Sequence, residues 1–361
     1  MKKLISLILA CLLAFAALPV WAEEVSVSGK VTEIEKYGHA LLDIAIEDFN
    51  NAGFALGDIV TVTAGSYTGD MPYFNGYYVD RGEYMLRAYP GHTNIAVCIN
   101  YGKFAETAGI DVGNPVTITL KEKAGALTLQ EISNLVYSDD RADSASDAEF
   151  ANFRPVVEGK LYRSASPVDN GHGRAAYADG LIRDAGVKTV MNMANTEEEI
   201  AGYFAGEDFA SPYYKELYDA GKVIVLGMSV DFASDEFAED IVKGFSFLAG
   251  QEAPYLVHCM EGKDRAGFAA MLLEALMGWS EAQIVADYMV SYANYYGIEP
   301  DTEKYDLIAE KNVKEMLRAV AGLEKGASLE EIDLHAAAEA YLIAHGMAEE
   351  TVNALEAKLE G

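Results

Sequence analysis

His258-Cys259-Met260-Glu261-Gly262-Lys263-Asp264-Arg265-Ala266-Gly267 lies between two segments of opposite periodicity. Before it, Ala253-Pro254-Tyr255-Leu256-Val257 is a short apolar run that reads as a buried strand. After it, Phe268, Met271, Leu272, Ala275 and Leu276 recur at helical spacing and predict a helix over residues 265–277. The ten residues therefore join a strand end to a helix N-terminus, where backbone N–H groups and the positive end of the helix dipole converge on an anion. A thiol in that setting is favoured as the thiolate, the nucleophilic form of cysteine. Arg265 supplies a planar fork that can grip two phosphoryl oxygens, a geometry lysine cannot match. A buried structural cysteine would explain Cys259 alone. It would not explain His258, Gly262 and the basic pair Lys263 and Arg265 in the same loop.

Upstream stand Asn152-Phe153-Arg154-Pro155-Val156 and Lys160-Leu161-Tyr162-Arg163-Ser164-Ala165-Ser166-Pro167; downstream stands Ile284-Val285-Ala286-Asp287-Tyr288-Met289. Together with the loop they resemble the protein-tyrosine phosphatase superfamily. The form Gly262-Lys263-Asp264-Arg265 resembles its bacterial tyrosine/dual-specificity or lipid phosphatase branch. The resemblance covers about residues 151–361 and says nothing of residues 23–136. It implies a three-layer α/β sandwich with a mostly parallel central sheet. It implies Cys259 as nucleophile, passing through a phosphocysteine, with Arg265 on the phosphoryl oxygens. His258, Met260, Glu261, Gly262, Lys263 and Asp264 would complete the substrate-binding loop, His258 by orienting it and supporting the thiolate. Arg163 and Asn152 would be structural. Lys263 would face the substrate, in a loop form associated with phosphatases that accept phosphoinositides as well as phosphotyrosine. Cysteine chemistry needs no cofactor or metal, and His39, His92, His172, His335 and His345 show no metal-ligand spacing.

A leaving alcohol or phenol needs a proton. The resemblance places the donor aspartate on a mobile loop upstream of the nucleophile. Asp231, in Ser229-Val230-Asp231-Phe232 directly after a predicted strand, fits best. Asp235 sits near the predicted N-cap of the next helix, where a carboxylate has a structural job, and Asp264 lies inside the loop. One departure matters. The superfamily usually has serine or threonine after the arginine, and here Ala266 stands there. Losing one hydrogen bond to a departing thiolate costs roughly 1.5–3 kcal/mol, about one to two orders of magnitude in that step. The rival readings are a catalytically weak phosphate-binding pseudophosphatase and, among enzymes, sulfur transfer.

Lys2 and Lys3 precede an apolar run over 4–18, and Val20-Trp21-Ala22 suits cleavage. Residues 1–22 thus read as a signal peptide, and the rest as exported, whether periplasmic, envelope-bound or extracellular. No other segment is long and apolar enough to cross a bilayer, so no stable membrane insertion is expected after processing. Fifty-seven acidic against 27 basic residues give a formal charge of −30, and losing Lys2 and Lys3 makes the chain more acidic still. Such a charge disfavours nucleic acid and anionic membranes; the expected partners are phosphorylated protein, lipid or inositol substrates. Only Cys98 and Cys259 lie beyond the leader, so there is no disulfide framework, and Cys98 in an apolar run reads as core.

The remaining chain divides into a β-rich domain over 23–136, an acidic linker over 137–150 and the phosphatase-like domain over 151–361. In the first, residues 52–63 align without gaps on residues 108–119, each copy a glycine-marked turn followed by a β-branched run. With runs 25–34 and 127–132 this predicts a small β-barrel-like domain with pseudo-twofold symmetry. The aromatic stretch between the copies, Tyr67, Tyr73, Phe74, Tyr77, Tyr78, Tyr84 and Tyr89, is expected mainly in its core and loops. Residues 138–149 are small, acidic and aperiodic, hence a linker. Further on, strands are expected at 161–163, 189–193, 223–226 and Tyr255–His258, and helices at 177–185, 236–248, 282–292, 301–324, 328–344 and 347–360.

Overall fold

The computed structural model describes residues 25–360, which fall into two compact units dividing between Asn134 and Leu135. The expected signal peptide lies outside the described residues.

The first unit is a closed seven-stranded barrel. Its strands are β1 Ser26–Ile34, β2 Ala40–Ala45, β3 Ile59–Ala64, β4 Tyr67–Phe74, β5 Tyr84–Arg87, β6 Asn94–Ile99 and β7 Pro115–Glu122. They run in the order β1-β2-β6-β5-β4-β3-β7, antiparallel at every pairing except the parallel β4–β5. The repeat is structural. Each copy follows a short helix, Ile46–Asn51 or Phe104–Ala108, and runs through a glycine turn into a strand, and the two strands, β3 and β7, pair with each other. Val62 faces Ile118, its own counterpart in the repeat, so the pseudo-twofold passes between them. Alternation at period two sends Val60, Val62, Ala64, Val116 and Ile118 inward. Tyr73 and Phe74 are buried, while Tyr77 and Tyr89 are exposed. One expectation fails: residues 127–132 form a helix, Leu127–Ile132, not a strand. Its apolar residues are too few for periodicity to separate the two, and Leu127 is left exposed.

The second unit is a five-stranded sheet with helices on both faces. Strands β8 Arg154–Val157, β9 Leu161–Ser164, β10 Thr189–Asn192, β11 Val223–Val225 and β12 Tyr255–His258 lie in the order β11-β10-β12-β9-β8. All pairings are parallel except β8–β9. Successive residues point to opposite faces. Tyr162, Val190 and Leu256 pack with the helices Ala175–Asp184, Glu197–Ala205 and Pro212–Asp219. Met191 on the other face meets the helix Asp235–Ala249, and Arg163 meets the helix Asp264–Leu276. Glycine makes room for both: a β-carbon at Gly244 would strike the Met191 thioether, and one at Gly267 would crowd Arg163 and Tyr288.

Two further readings are corrected. The stretch 137–150 is not a loose linker: Ser146 caps a helical turn over Asp147–Phe150, Phe150 is buried, and Arg141 pairs with Asp147. Composition marked it as a linker because its few anchors, one aromatic and one arginine, form no period. The helix expected over 301–324 is interrupted. It runs Glu303–Ala309, widens into a π-helical turn over Glu310–Lys314, and resumes over Glu315–Val320. The next begins only at Leu334, where Asp333 accepts from the N–H of Ala336.

Candidate active site

The loop 259–263 emerges from β12, which is wholly buried between β10 and β9. His258 pairs in register with Asn192 and Ser164, so Cys259 is the first residue free of the sheet, only 3 % exposed. The chain turns through Gly262 at φ +68, backs against the carbonyl of Ser164, and enters the helix Asp264–Leu276. No side-chain cap serves that helix start, which leaves its first amides open to an anion.

What shapes the loop is where its carbonyls go. The Cys259 carbonyl accepts from His258 Nδ1 at 3.3 Å, and that of Met260 from the Ser166 N–H at 2.9 Å. The Glu261 carbonyl accepts from Asn152 Nδ2 at 3.0 Å and from the Tyr295 hydroxyl at 2.7 Å. The carbonyls of Gly262 and Lys263 both accept from Arg163 Nη2, at 2.8 and 3.0 Å. Five consecutive carbonyls are thus engaged by the surrounding protein. In a trans peptide the N–H points opposite the C=O, so the amides that follow are turned the other way, into a concave nest that suits an oxyanion.

Buried charges hold those donors. Arg163 is fully buried, and its Nη1 meets Asp287 Oδ2 at 2.6 Å, while Arg154 Nε meets Oδ1 at 2.7 Å. Burial alone would raise the Asp287 carboxyl, but the two guanidinium groups hold it well below the usual range. Its neighbour Glu274 moves the other way: burial, then the charge of Asp287, push it well up. His258 is completely buried, and desolvation takes its pKa down to about 3, so its ring is neutral and supports the loop backbone.

Arg265 donates from Nη1 to the carbonyls of Met193 and Met228, at 3.1 and 2.7 Å. Its Nε and Nη2 make no hydrogen bond among the described residues, so one edge of the guanidinium is fixed by two loops and the other is available.

Residues 147–360 match the family model described as "Tyrosine phosphatase family". The chain belongs to that family. Among solved structures, this tyrosine phosphatase family member is similar to the core catalytic domain of the PP-IP phosphatase SIW14 from S. cerevisiae, at 18 % identity. That match covers 47 % of this chain and 91 % of that one, with a TM-score of 0.29. A cysteine-to-serine form of TpbA from P. aeruginosa in complex with pTyr is also 18 % identical, covering 48 % and 92 %, TM-score 0.30. An uncharacterized conserved protein from Thermotoga maritima is 19 % identical, covering 27 % of this chain, TM-score 0.25; this chain spans 37 % of that protein's length. No curated protein matches the chain.

Of the expected site residues, the structure brings Cys259, Arg265 and the loop 258–264 together. Asp231 lies apart on the exposed loop after β11, its carboxylate accepting from the Ala233 N–H at 3.3 Å. That loop is nonetheless tied to the site, because Arg265 holds the carbonyl of Met228 at its base. Asp235 is the first residue of its helix, and the cap is Ser234. Asp264 opens the loop's own helix and accepts from the Tyr288 hydroxyl at 3.2 Å; burial raises its carboxyl above the usual range. Lys263, expected to face the substrate, is paired within the loop's surroundings. Its ammonium lies 2.9 Å from Glu261 Oε2 and donates to the Tyr296 hydroxyl at 3.1 Å. Ala266 is fully buried. Sequence reasoning missed Tyr137, whose hydroxyl donates to Glu261 Oε1 at 2.9 Å, and no spacing in the sequence signalled it.

Proposed function

We propose that this phosphatase hydrolyses phosphomonoesters through a phosphocysteine, with phosphotyrosine in proteins as its preferred substrate, and that it acts outside the cytoplasm after loss of residues 1–22. The observation that carries the reading is the run of five outward-held carbonyls, which supports a preformed nest for a phosphoryl dianion. The sulfur of Cys259 attacks phosphorus in line. The sulfur–phosphorus bond forms as the bond to the leaving oxygen breaks, while the loop amides and the open edge of Arg265 hold the equatorial oxygens. Asp231 gives its proton to that oxygen. A water then attacks phosphorus and returns a proton to Asp231 as the sulfur–phosphorus bond breaks, releasing phosphate and the Cys259 thiolate.

A second assignment of the acid has one observation behind it. Asp264 is beside the loop and its carboxyl is raised by burial, as suits a group that must hold a proton at neutral pH. For the substrate, phosphoinositides or inositol phosphates are the second reading, and a weak phosphate-binding protein is the non-enzymatic one, with Ala266 its support.

The test is turnover of a generic aryl phosphate by the full chain in the presence of a chelator, followed by mass spectrometry of acid-quenched enzyme. Expected are hydrolysis, a phosphate adduct on the peptide carrying Cys259, and loss of both in Cys259→Ser. Steady hydrolysis by the serine variant above about a hundredth of the parent rate would refute covalent cysteine catalysis.

A further inference from the structure

We propose that Tyr137 is a positioning residue that locks Glu261 onto Lys263, and that this lock makes the loop select singly over multiply phosphorylated substrates. The inference rests on reading the loop as a phosphomonoester site, and it names the substrate charge class of that site.

Lys263 is the loop's second cation, and its side chain is only 12 % exposed. The ammonium has Glu261 Oε2 at 2.9 Å, the Tyr296 hydroxyl at 3.1 Å and Asp264 Oδ2 at 3.9 Å. It also lies over the rings of Tyr292 and Tyr296, 5.4 and 5.3 Å from their centroids. An ammonium has three donors and no more, and this one is surrounded by acceptors of the protein's own.

Glu261 is held at every polar atom that could let it swing away. Its carbonyl is bound by Asn152 and Tyr295, one carboxylate oxygen by Lys263, and the other by the Tyr137 hydroxyl at 2.9 Å. Tyr137 is itself fixed. Its ring lies 4.8 Å from that of Tyr295 and 5.8 Å from that of Tyr296, with the Arg174 guanidinium 5.1 Å from its centroid. Arg174 also binds the Ser138 carbonyl and pairs with Asp139, and His172 holds the other oxygen of Asp139. The strap 137–139 precedes the family-matched residues 147–360.

The consequence is electrostatic. The phosphoryl group being transferred is met by Arg265 and the loop amides. A second phosphate on the same molecule, reaching for Lys263, meets the Glu261 carboxylate with it and finds no net attraction. Removing that carboxylate, or the hydroxyl that fixes it, exposes the ammonium.

The experiment is isothermal titration of myo-inositol hexakisphosphate and of phenyl phosphate into the full-length Cys259→Ser protein, alone and combined with Glu261→Gln, Tyr137→Phe or Lys263→Met. The ratio of the two affinities should shift toward the hexakisphosphate by roughly tenfold in Glu261→Gln and about threefold in Tyr137→Phe, the scale of one unit charge uncovered at a partly buried site. Lys263→Met uncovers the Glu261 carboxylate instead and should shift the ratio toward phenyl phosphate by a similar factor, while Glu261→Gln combined with Lys263→Met should return it to the parent value. An unchanged or reversed ratio in Glu261→Gln, a large loss of hexakisphosphate binding in the Glu261→Gln/Lys263→Met double variant relative to the parent, or no binding of either ligand would overturn the lock. A shift in Glu261→Gln without one in Tyr137→Phe removes Tyr137 from it. In the catalytically active background, Tyr137→Phe should act through KM for polyphosphorylated substrates; an effect confined to kcat refutes the charge argument. Absence of aryl phosphate turnover by the parent would sink the phosphatase reading while leaving these binding ratios to stand or fall by themselves.

Discussion

Gly262→Ala should damage catalysis and stability together. The residue stands at φ +68, where an L side chain costs about 1–2 kcal/mol. A β-carbon there would run into the carbonyl carbon and oxygen of Ser164 and lie 2.7 Å from the Ala165 nitrogen. Neither neighbour can step aside: Ser164 is paired with His258 in the sheet, and the Ala165 N–H donates to the Ala151 carbonyl at 2.8 Å. The loop itself must retreat, by roughly 1 Å, and a misplacement of that size costs about 100-fold in rate where reacting atoms must be aligned. Retreat also stretches the bonds from Arg163 to the Gly262 and Lys263 carbonyls, so about 2–4 kcal/mol of stability should go in total. Gly159→Ala is the control. It has nearly the same backbone conformation, φ +72, but open space around it, so it should lose only about 1–2 kcal/mol and keep its turnover. Steady-state hydrolysis of an aryl phosphate and urea unfolding midpoints measure both. If Gly262→Ala stays within about threefold of the parent in kcat/KM and matches Gly159→Ala in stability, the nest does not depend on this close approach and the reasoning fails.

Asp231→Asn should lose activity mainly on substrates with poor leaving groups, and should lose the basic limb of the pH–rate profile; the same two effects in Asp264→Asn instead would move the acid to Asp264. Ala266→Ser should raise the steady rate on a good aryl phosphate by up to roughly 10–100-fold and shrink the pre-steady-state burst, whereas no burst in the parent and no gain in the variant means another group already assists the departing sulfur. His258 gives a pH dependence of known sign. Burial drives its pKa down to about 3 from an ordinary value of 6.5, so between those values the unfolded chain takes up a proton the folded one refuses. Its contribution is complete above pH 6.5 and is lost as pH falls toward 3. His258→Gln should therefore flatten the stability–pH slope between pH 6 and 4 by up to about 1.4 kcal/mol per unit, and parallel slopes in urea titrations would refute it.

Local chemistry made much of this molecule legible from the sequence. Tyr255–His258 and the loop's helix were readable because a strand end meeting a helix start leaves a periodicity break and a glycine. Ser280 and Gln283, three residues apart ahead of an apolar-periodic run, spell a capping box, and the structure contains it at the start of the helix Glu281–Tyr296. The repeat foretold two equivalent strands, though not that they would pair with each other through Val62 and Ile118. What stayed hidden depends on contacts across long sequence separations. Glu261 and Lys263 are only two residues apart in the chain, but the setting that holds them against one another includes Tyr137, Tyr292 and Tyr296, which no short window contains. The strap 137–139 was invisible for the same reason: its composition is that of a linker, and its order comes from Arg174.

The acidity of the whole chain bears on why the site is built this way. A protein with a formal charge of −30 repels a phosphoryl dianion at long range. Adding cations to the loop would counter this, yet the loop spends them internally: Lys263 on Glu261, and Arg163 beneath it on Asp287. A buried pair such as Arg163–Asp287 contributes little net stability, because desolvation offsets the attraction. Its use lies in the donors it leaves over, which pull the Gly262 and Lys263 carbonyls outward and so aim amide dipoles inward. Those dipoles are fixed, short in range and neutral overall, so they act on an anion already in the nest without drawing polyanions from solution. Arg265, with one edge pinned by the Met193 and Met228 carbonyls, adds a full charge beside the nest in the proposed mechanism. Affinity built from aimed dipoles and a single directed guanidinium suits an enzyme that must hold one phosphate tightly in a transition state and release it afterwards.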